Sequence, residues 1–146
     1  MRVKVILSAF NRPDLLPIQV KCLQRNLKSD YEILVLHDSR DHQYVREFQE
    51  VCDTLGLKKF YHHNSVDGKD PSKYHGEAVQ WAYDTIVKTE CVNDITFILD
   101  HDIFLVKELD IVEYMRDYDV VGTHQNRGPV EYIWPGLIAF KYQSIK

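Results

Sequence analysis

Residues 95–104 read Ile95-Thr96-Phe97-Ile98-Leu99-Asp100-His101-Asp102-Ile103-Phe104. The first five are apolar or β-branched, which predicts a buried strand over residues 95–99. The strand is followed at once by two aspartates separated by a single residue. Open α/β sheets bind their ligands at the carboxyl ends of the strands, so this acidic pair stands at a position suited to binding.

Two carboxylates this close repel each other unless a cation lies between them. Asp100 and Asp102 are therefore predicted to bind a divalent metal, and such a metal commonly carries phosphate groups. A solvated acidic pair with no ligand remains the alternative. The alternation of side chains along a strand would point His101, between the two aspartates, away from them.

Strands and helices alternate through the first hundred residues. The apolar spacing predicts strands over residues 3–8, 33–36 and 57–62, helices over 15–27, 42–55 and 76–87, and a loop over 64–73. A short helix over 109–118, a strand over 120–122 and a strand within 133–140 follow, the last after a turn at Gly128-Pro129. This alternation predicts an α/β fold with a mainly parallel sheet flanked by helices, in a single domain of residues 1–146.

Polar residues follow the other predicted strands as well. Ser8, Ala9, Asn11 and Arg12 come after the first strand, and Asp38 comes after the second. Because the carboxyl ends of parallel strands share one edge, these residues are expected to lie near the acidic pair. Asp38 is suited to accept hydrogen bonds from a ribose or a base, and Arg12 to supply positive charge. The alternatives are a turn or helix cap for Asp38 and a solvated turn residue for Arg12.

Composition narrows the choice of partners. The 146 residues carry a formal net charge of −4 and no long basic run, so nucleic acid and anionic membranes are not expected partners. No apolar run is long enough to span a membrane, and the strand pattern at the start of the sequence leads us to expect no signal peptide. Cys22, Cys52 and Cys91 are odd in number and widely spaced, which predicts free thiols and a cytoplasmic location. The histidines lack the ligand spacing of a zinc site.

Four segments together resemble a known family. They are Val3-Lys4-Val5-Ile6-Leu7-Ser8-Ala9-Phe10-Asn11-Arg12-Pro13, Glu32-Ile33-Leu34-Val35-Leu36-His37-Asp38-Ser39, Gly76-Glu77-Ala78-Val79-Gln80-Trp81-Ala82 and Phe97-Ile98-Leu99-Asp100-His101-Asp102. In this order they resemble nucleotide-sugar glycosyltransferases with the Rossmann-like GT-A fold, especially the family-2 type. The third segment is only loosely similar, since Trp81 and Tyr83 stand where the family has Asn and Gly.

The resemblance implies a metal-dependent transfer of a sugar from a nucleotide-sugar donor to a glycan or another hydroxyl acceptor. Asp100 and Asp102 would hold Mn²⁺ or Mg²⁺. The implied nucleotide contacts are Ser8, Ala9, Asn11, Arg12, Asp38, Lys73, His75 and Asp100. Trp134, in Trp134-Pro135-Gly136, is either a packed loop residue or part of a sugar site, because an aromatic face packs on the C–H groups of a pyranose.

The resemblance also leaves a catalytic role unassigned. Inverting members use a carboxylate base that normally lies well after the Asp-x-Asp pair, beyond a Gly-containing turn and a further strand. Pro135-Gly136 and residues 137–140 would correspond to that turn and strand, so the acceptor segment is expected to lie outside this chain, and Glu131 is the remaining candidate base. Two alternatives stay open: a nucleotide-sugar-binding module without catalysis, and an aspartate-based phosphohydrolase, which usually carries its Asp-x-Asp after the first strand instead of the fourth.

Overall fold

A single six-stranded sheet organises the chain in the computed structural model, which describes residues 1–64 and 70–145. The strands are β1 (Val3–Ala9), β2 (Tyr31–His37), β3 (Lys58–Tyr61), β4 (Ile95–Asp100), β5 (Val120–Arg127) and β6 (Val130–Lys141). Their order across the sheet is β3-β2-β1-β4-β6-β5. The first four are parallel, and β6 runs antiparallel to both β4 and β5. The predicted α/β class with a mainly parallel sheet is confirmed.

Helices cover both faces of this sheet. They are α1 (Leu16–Asn26), α2 (His42–Leu55), α3 (Pro71–Ala82), α4 (Lys88–Glu90) and α5 (Ile111–Tyr114), with a π-helical turn at Tyr83–Val87 and 3₁₀ turns at Pro13–Leu15 and Tyr142–Ser144. No helix within the described ranges is long and apolar enough to cross a membrane.

Alternating strand residues feed two apolar cores. Val5 and Leu7 of β1 pack with α1 and α2 on one face, whereas Ile6 packs with α3 and the π-helical turn on the other. Because both faces are covered, the central strands read as almost continuous apolar runs, as expected for buried parallel strands. The carboxyl ends of these strands lie along one edge of the sheet, which carries the polar residues.

The start of α3 differs from the sequence prediction. A loop was expected as far as Lys73, but the helix begins at Pro71, five residues before the predicted start at Gly76. The Asp70 carboxylate accepts hydrogen bonds from the backbone N–H groups of Ser72 and Lys73, both at 3.2 Å, and proline suits the first helical position. Residues 65–69 of the predicted loop lie outside the described residues.

The C-terminal third also differs in detail. The predicted helix over 109–118 is confined to α5, which ends in a tight turn where the Tyr118 N–H donates to the Met115 carbonyl at 3.2 Å. The predicted strand at 120–122 extends to Arg127, because β6 supplies a partner along its length. The turn between the two strands contains Gly128 with φ of +66°, which confirms the predicted turn.

Candidate functional site

The carboxyl ends of β1, β2 and β4 enclose a cavity. In the register of the sheet, Ser8 of β1 pairs with Leu36 of β2 on one side and with Asp100 of β4 on the other. A cavity of about 320 Å³ opens at this edge and is lined by Ser8, Phe10, Asp38, Pro71, Tyr74, His75, Asp100 and His101. From β1 the chain adds β2 and β3 on one side of the sheet and then crosses to add β4 on the other side. The crevice beside β1 is therefore the topological switch point, where open α/β sheets bind ligands.

Asp38 forms the buried end of the cavity. Only 5% of the residue is exposed, and Asn64 Nδ2 donates to its Oδ2 at 3.3 Å. Burial raises the pKa of the Asp38 carboxyl to about 6, and the hydrogen bond from Asn64 opposes part of this increase. The helix after β2 is capped by Asp41, whose carboxylate accepts from the Gln43 N–H at 2.8 Å. Asp38 is therefore not the cap of α2, and its side chain faces the cavity.

Asp100 and His75 meet at the opposite side of the cavity. His75 Nδ1 lies 3.7 Å from Asp100 Oδ1, and 16% of the Asp100 side chain is exposed. Burial is the main cause that raises the pKa of Asp100, the Asp102 charge raises it further, and His75 lowers it. The capped start of α3 carries His75 and Tyr74 to this place, so a helix distant in sequence completes the wall.

Asp102 lies just outside the cavity, exposed in the turn after β4. Within residues 1–64 and 70–145, no three His, Cys, Asp or Glu side chains converge as a ready-made metal site. His101 lines the cavity, contrary to the expectation that it points away, because β4 ends at Asp100 and strand alternation no longer applies in the turn.

Trp134 and Gly136 of β6 lie beside Asp100. A Cβ built on Gly136 would come within 3.0 Å of both the Asp100 carboxylate and the Trp134 indole. Gly136 is buried, and only a residue without a side chain fits between the other two. The Trp-Pro-Gly segment singled out in the sequence is therefore adjacent to the predicted acidic site.

The predicted residues Arg12, Lys73 and Glu131 lie on exposed surfaces and do not line the cavity. The Arg12 guanidinium pairs with the Asp14 carboxylate through two contacts of 2.8 Å on an exposed neighbouring surface. Lys73 is largely exposed and lies 3.7 Å from Asp70. The Glu131 carboxylate is exposed on the β5–β6 hairpin, 3.6 Å from the His124 ring.

Ala9 and Asn11 act through the backbone next to the cavity. The Ala9 carbonyl accepts from the Asp38 N–H at 3.4 Å, and the Asn11 N–H donates to the Ser39 hydroxyl at 2.9 Å. Asn11 adopts a positive φ of 52°, a conformation that asparagine tolerates better than most residues. These contacts join the ends of β1 and β2.

Sequence reasoning missed the aromatic wall of the cavity. The rings of Phe10 and Tyr74 lie 5.0 Å apart, and the Tyr74 hydroxyl donates to the Asp38 carbonyl at 2.6 Å. The Arg40 guanidinium stands 4.9 Å from the centre of the Tyr74 ring. The one available signal was the position of Phe10 directly after a strand, whereas Tyr74 was hidden in a segment predicted as the boundary of a loop.

No family model and no curated protein matches the sequence. Solved structures do match. A mannosyltransferase from Pyrobaculum calidifontis, PcManGT, determined in complex with GDP-Man and Mn²⁺, superposes with a TM-score of 0.58 at 15% identity over 97% of this chain and 45% of its own.

S. aureus TarS superposes with a TM-score of 0.56 at 16% identity over 97% of this chain and 28% of its own. The chain has the GT-A fold. It spans less than half the length of these solved structures, so the fold is the property they share with it.

Proposed function

We propose that this chain binds a nucleotide-sugar donor in the cavity at the ends of β1, β2 and β4 and functions as a metal-dependent glycosyltransferase. The observation that carries the proposal is the convergence of Asp38 and Asp100, from separate strands, on one cavity at the switch point of a GT-A sheet. The GDP-Man and Mn²⁺ bound by PcManGT support the class of ligand.

The nucleoside is assigned to the Asp38 end of the cavity. The buried Asp38 carboxylate receives a long hydrogen bond from Asn64, at 3.3 Å, and its remaining lone pairs can accept hydrogen bonds from a base or ribose. Phe10 and Tyr74 offer an apolar wall to a base, and Arg40 adds positive charge over the Tyr74 ring.

The residues at the other end fit a cation that arrives with phosphates. Two carboxylates, Asp100 and Asp102, are too few for a closed protein site, but Mg²⁺ and Mn²⁺ are commonly bound by one or two carboxylates together with substrate phosphates. Asp100 and Asp102 would hold such a cation, whose positive charge would neutralise the leaving diphosphate. The low exposure of the Asp100 carboxylate would strengthen its attraction for the cation.

Donor binding without transfer is the second candidate function. Asp38 and Asp100 are the carboxylates that line the cavity among the described residues, and both are assigned to binding. Glu131, the predicted base, lies outside on the hairpin. A phosphohydrolase is less well supported, because β1 ends in Ser8-Ala9 and the acidic pair follows β4. A cytoplasmic location stays a prediction of the sequence.

Isothermal calorimetry tests the proposal. UDP, GDP, UDP-glucose and GDP-mannose are titrated into the protein with MnCl₂ and with EDTA. We expect binding of at least one nucleotide only with Mn²⁺, and loss of that binding in Asp102→Asn. Asp117→Asn, which removes an exposed aspartate after α5, is the matched control and should bind as the wild type does.

Metal-independent binding, or equal affinities of Asp102→Asn and Asp117→Asn, would contradict the assignment of the acidic pair. Transfer of the sugar by the chain, measured with the nucleotide-sugar that binds, separates the two candidate functions. A missing base would reduce the rate by about 10²–10⁴-fold, because that is the usual contribution of general-base catalysis.

A further inference from the structure

The two tryptophans of the chain have contrasting surroundings. Trp81 stacks on His62 with ring centroids 4.9 Å apart and packs against the apolar core around α3. Trp134 is half-buried, packs against neither core, and stacks on no ring in the described part of the chain. A large aromatic side chain outside the cores is a candidate for contact with a ligand.

An irregularity in β6 sets the position of Trp134. Gly122 of β5 pairs with Ile138, whereas the next residue, Thr123, pairs with Trp134. Residues 135–137 of β6 therefore have no partner in β5 and form a bulge. Such bulges are frequent beside active sites, where they redirect a side chain. A Cβ on Gly122 would come within 3.0 Å of Ile133 and of the Leu137 carbonyl. The two strands can approach this closely at the bulge because Gly122 has no side chain.

The bulge places the indole of Trp134 beside the acidic site. The position of a Cβ on Gly136 lies less than 3.0 Å from both the Asp100 carboxylate and the Cζ2 atom of Trp134. The indole therefore stands next to the carboxylate that is assigned to the cation and the diphosphate. The hexose of a nucleotide-sugar is attached directly to that diphosphate.

We propose that the Trp134 indole is the surface on which the hexose of the donor packs. A pyranose presents an apolar face of C–H groups, which an aromatic ring covers while the hydroxyls remain free for polar contacts. The inference rests on the proposed function, and it adds a residue that selects for the sugar part of the donor over the nucleotide alone.

Calorimetry with paired ligands tests the inference in the presence of MnCl₂. The Kd values of UDP and UDP-glucose, and of GDP and GDP-mannose, are compared between the wild type and Trp134→Ala. We expect the Kd of the nucleotide-sugar to rise about tenfold, equivalent to 1.4 kcal/mol, and that of the nucleoside diphosphate to change less than about twofold. Trp134→Phe should recover most of the affinity, and Trp81→Phe is the matched control with unchanged Kd values.

Fluorescence gives a second measurement that does not require Trp134→Ala to fold. In Trp81→Phe, Trp134 is the only remaining tryptophan of the chain. The nucleotide-sugar should shift or quench its emission more than the matching nucleoside diphosphate does at saturation, because only the former places a hexose on the indole.

Equal changes in Kd for the sugar-bearing and sugar-free ligands, unchanged Kd values in Trp134→Ala, or equal emission changes would overturn the inference while leaving the proposed function intact. Failure of the wild type to bind any of the four ligands would overturn the proposed function and the inference with it.

Discussion

Asp38 and His37 are adjacent, buried, and shifted in pKa in opposite directions. Burial raises the pKa of Asp38 from 3.8 to about 6 and lowers that of His37 from 6.5 to about 4. The His37 ring stacks on Phe48 and Tyr61 at 5.2 and 5.0 Å, and neither of its nitrogens has a hydrogen-bond partner in the described structure. Each residue therefore links stability to pH.

The two linkages oppose each other. The folded protein holds a proton on Asp38 up to about pH 6, whereas the unfolded chain releases it near pH 3.8. The contribution of Asp38 to the free energy of unfolding is therefore lost as the pH rises from about 4 to 6. The unfolded chain protonates His37 below pH 6.5 and the folded protein resists until about pH 4, so this contribution is lost as pH falls through that window.

Replacing either residue should expose the effect of the other. In Asp38→Asn, the free energy of unfolding should rise with pH between about 4 and 6 more steeply than in the wild type, and should exceed the wild-type value at neutral pH by up to about 3 kcal/mol. In His37→Phe, it should fall across the same window. Urea denaturation at several pH values between about 4 and 8 measures both.

The same Asp38→Asn variant should bind nucleotide more weakly, by about 1.5–3 kcal/mol, the range of a hydrogen bond to a charged group. Higher stability with lower affinity would mark Asp38 as a binding residue that is held at a cost to folding. Superimposable pH profiles, or tighter nucleotide binding, would contradict this role.

At the same scale, the structure brings some of the predicted residues to the cavity and leaves others outside it. The sequence placed Ser8, Asp38 and Asp100 near one another because each lies at the carboxyl end of a buried strand, and the strand register fixes where strand ends lie. Arg12 follows the same strand as Ser8, but Asp14 pairs with it on the exposed surface. A local ion pair of this kind depends on turn geometry, which apolar spacing does not report.

At the scale of elements, α3 is the helix that supplies side chains to the wall of the cavity. Its first turns supply Tyr74 and His75, and its start depends on the Asp70 cap. The predicted start at Gly76 followed the apolar periodicity alone and overlooked the Asp70-Pro71 pair, a recognised start signal. The bulge in β6 had no such local signal, because it arises from how β6 pairs with β4 and β5 at once.

Loss of the α3 cap should reduce binding as well as stability. Asp70→Ala should lower the free energy of unfolding by about 1 kcal/mol, the usual value of an N-cap, and should weaken Mn²⁺-dependent nucleotide binding because Tyr74 and His75 lose their support. Asp110→Ala is the matched control. Asp110 caps α5 through the Val112 and Glu113 N–H groups, at 3.1 and 3.2 Å, and also accepts from Ser29 ahead of β2.

Thermal unfolding and calorimetry on the two variants give the comparison. Asp110→Ala should lose stability with nucleotide affinity unchanged, since α5 does not line the cavity. If both variants lose affinity equally, the effect is one of general stability, and α3 does not position the site.

At the scale of the whole molecule, the topology brings the site together. The alternation of strands and helices along the sequence predicted the four parallel strands. Parallel strands place their carboxyl ends, and so Asp38 and Asp100, at one edge of the sheet. Their order was not predictable from the sequence, and neither was the insertion of β6 between β4 and β5, because apolar spacing identifies strands without identifying their neighbours. The order β3-β2-β1-β4 puts the switch point at β1 and so locates the cavity.

The central claim is that this edge of the sheet binds a nucleoside diphosphate together with a divalent cation. Amide NMR spectra of the isotope-labelled chain with the nucleotide that binds, first with Mg²⁺ and then with Mn²⁺, test it most directly, because paramagnetic Mn²⁺ broadens the signals of nearby residues. We predict selective loss of the signals of Asp100, His101 and Asp102 with Mn²⁺ and nucleotide together, while Arg2 and Asp94 at the opposite end of the strands keep theirs. Broadening centred elsewhere, or none in the presence of nucleotide, would contradict the account.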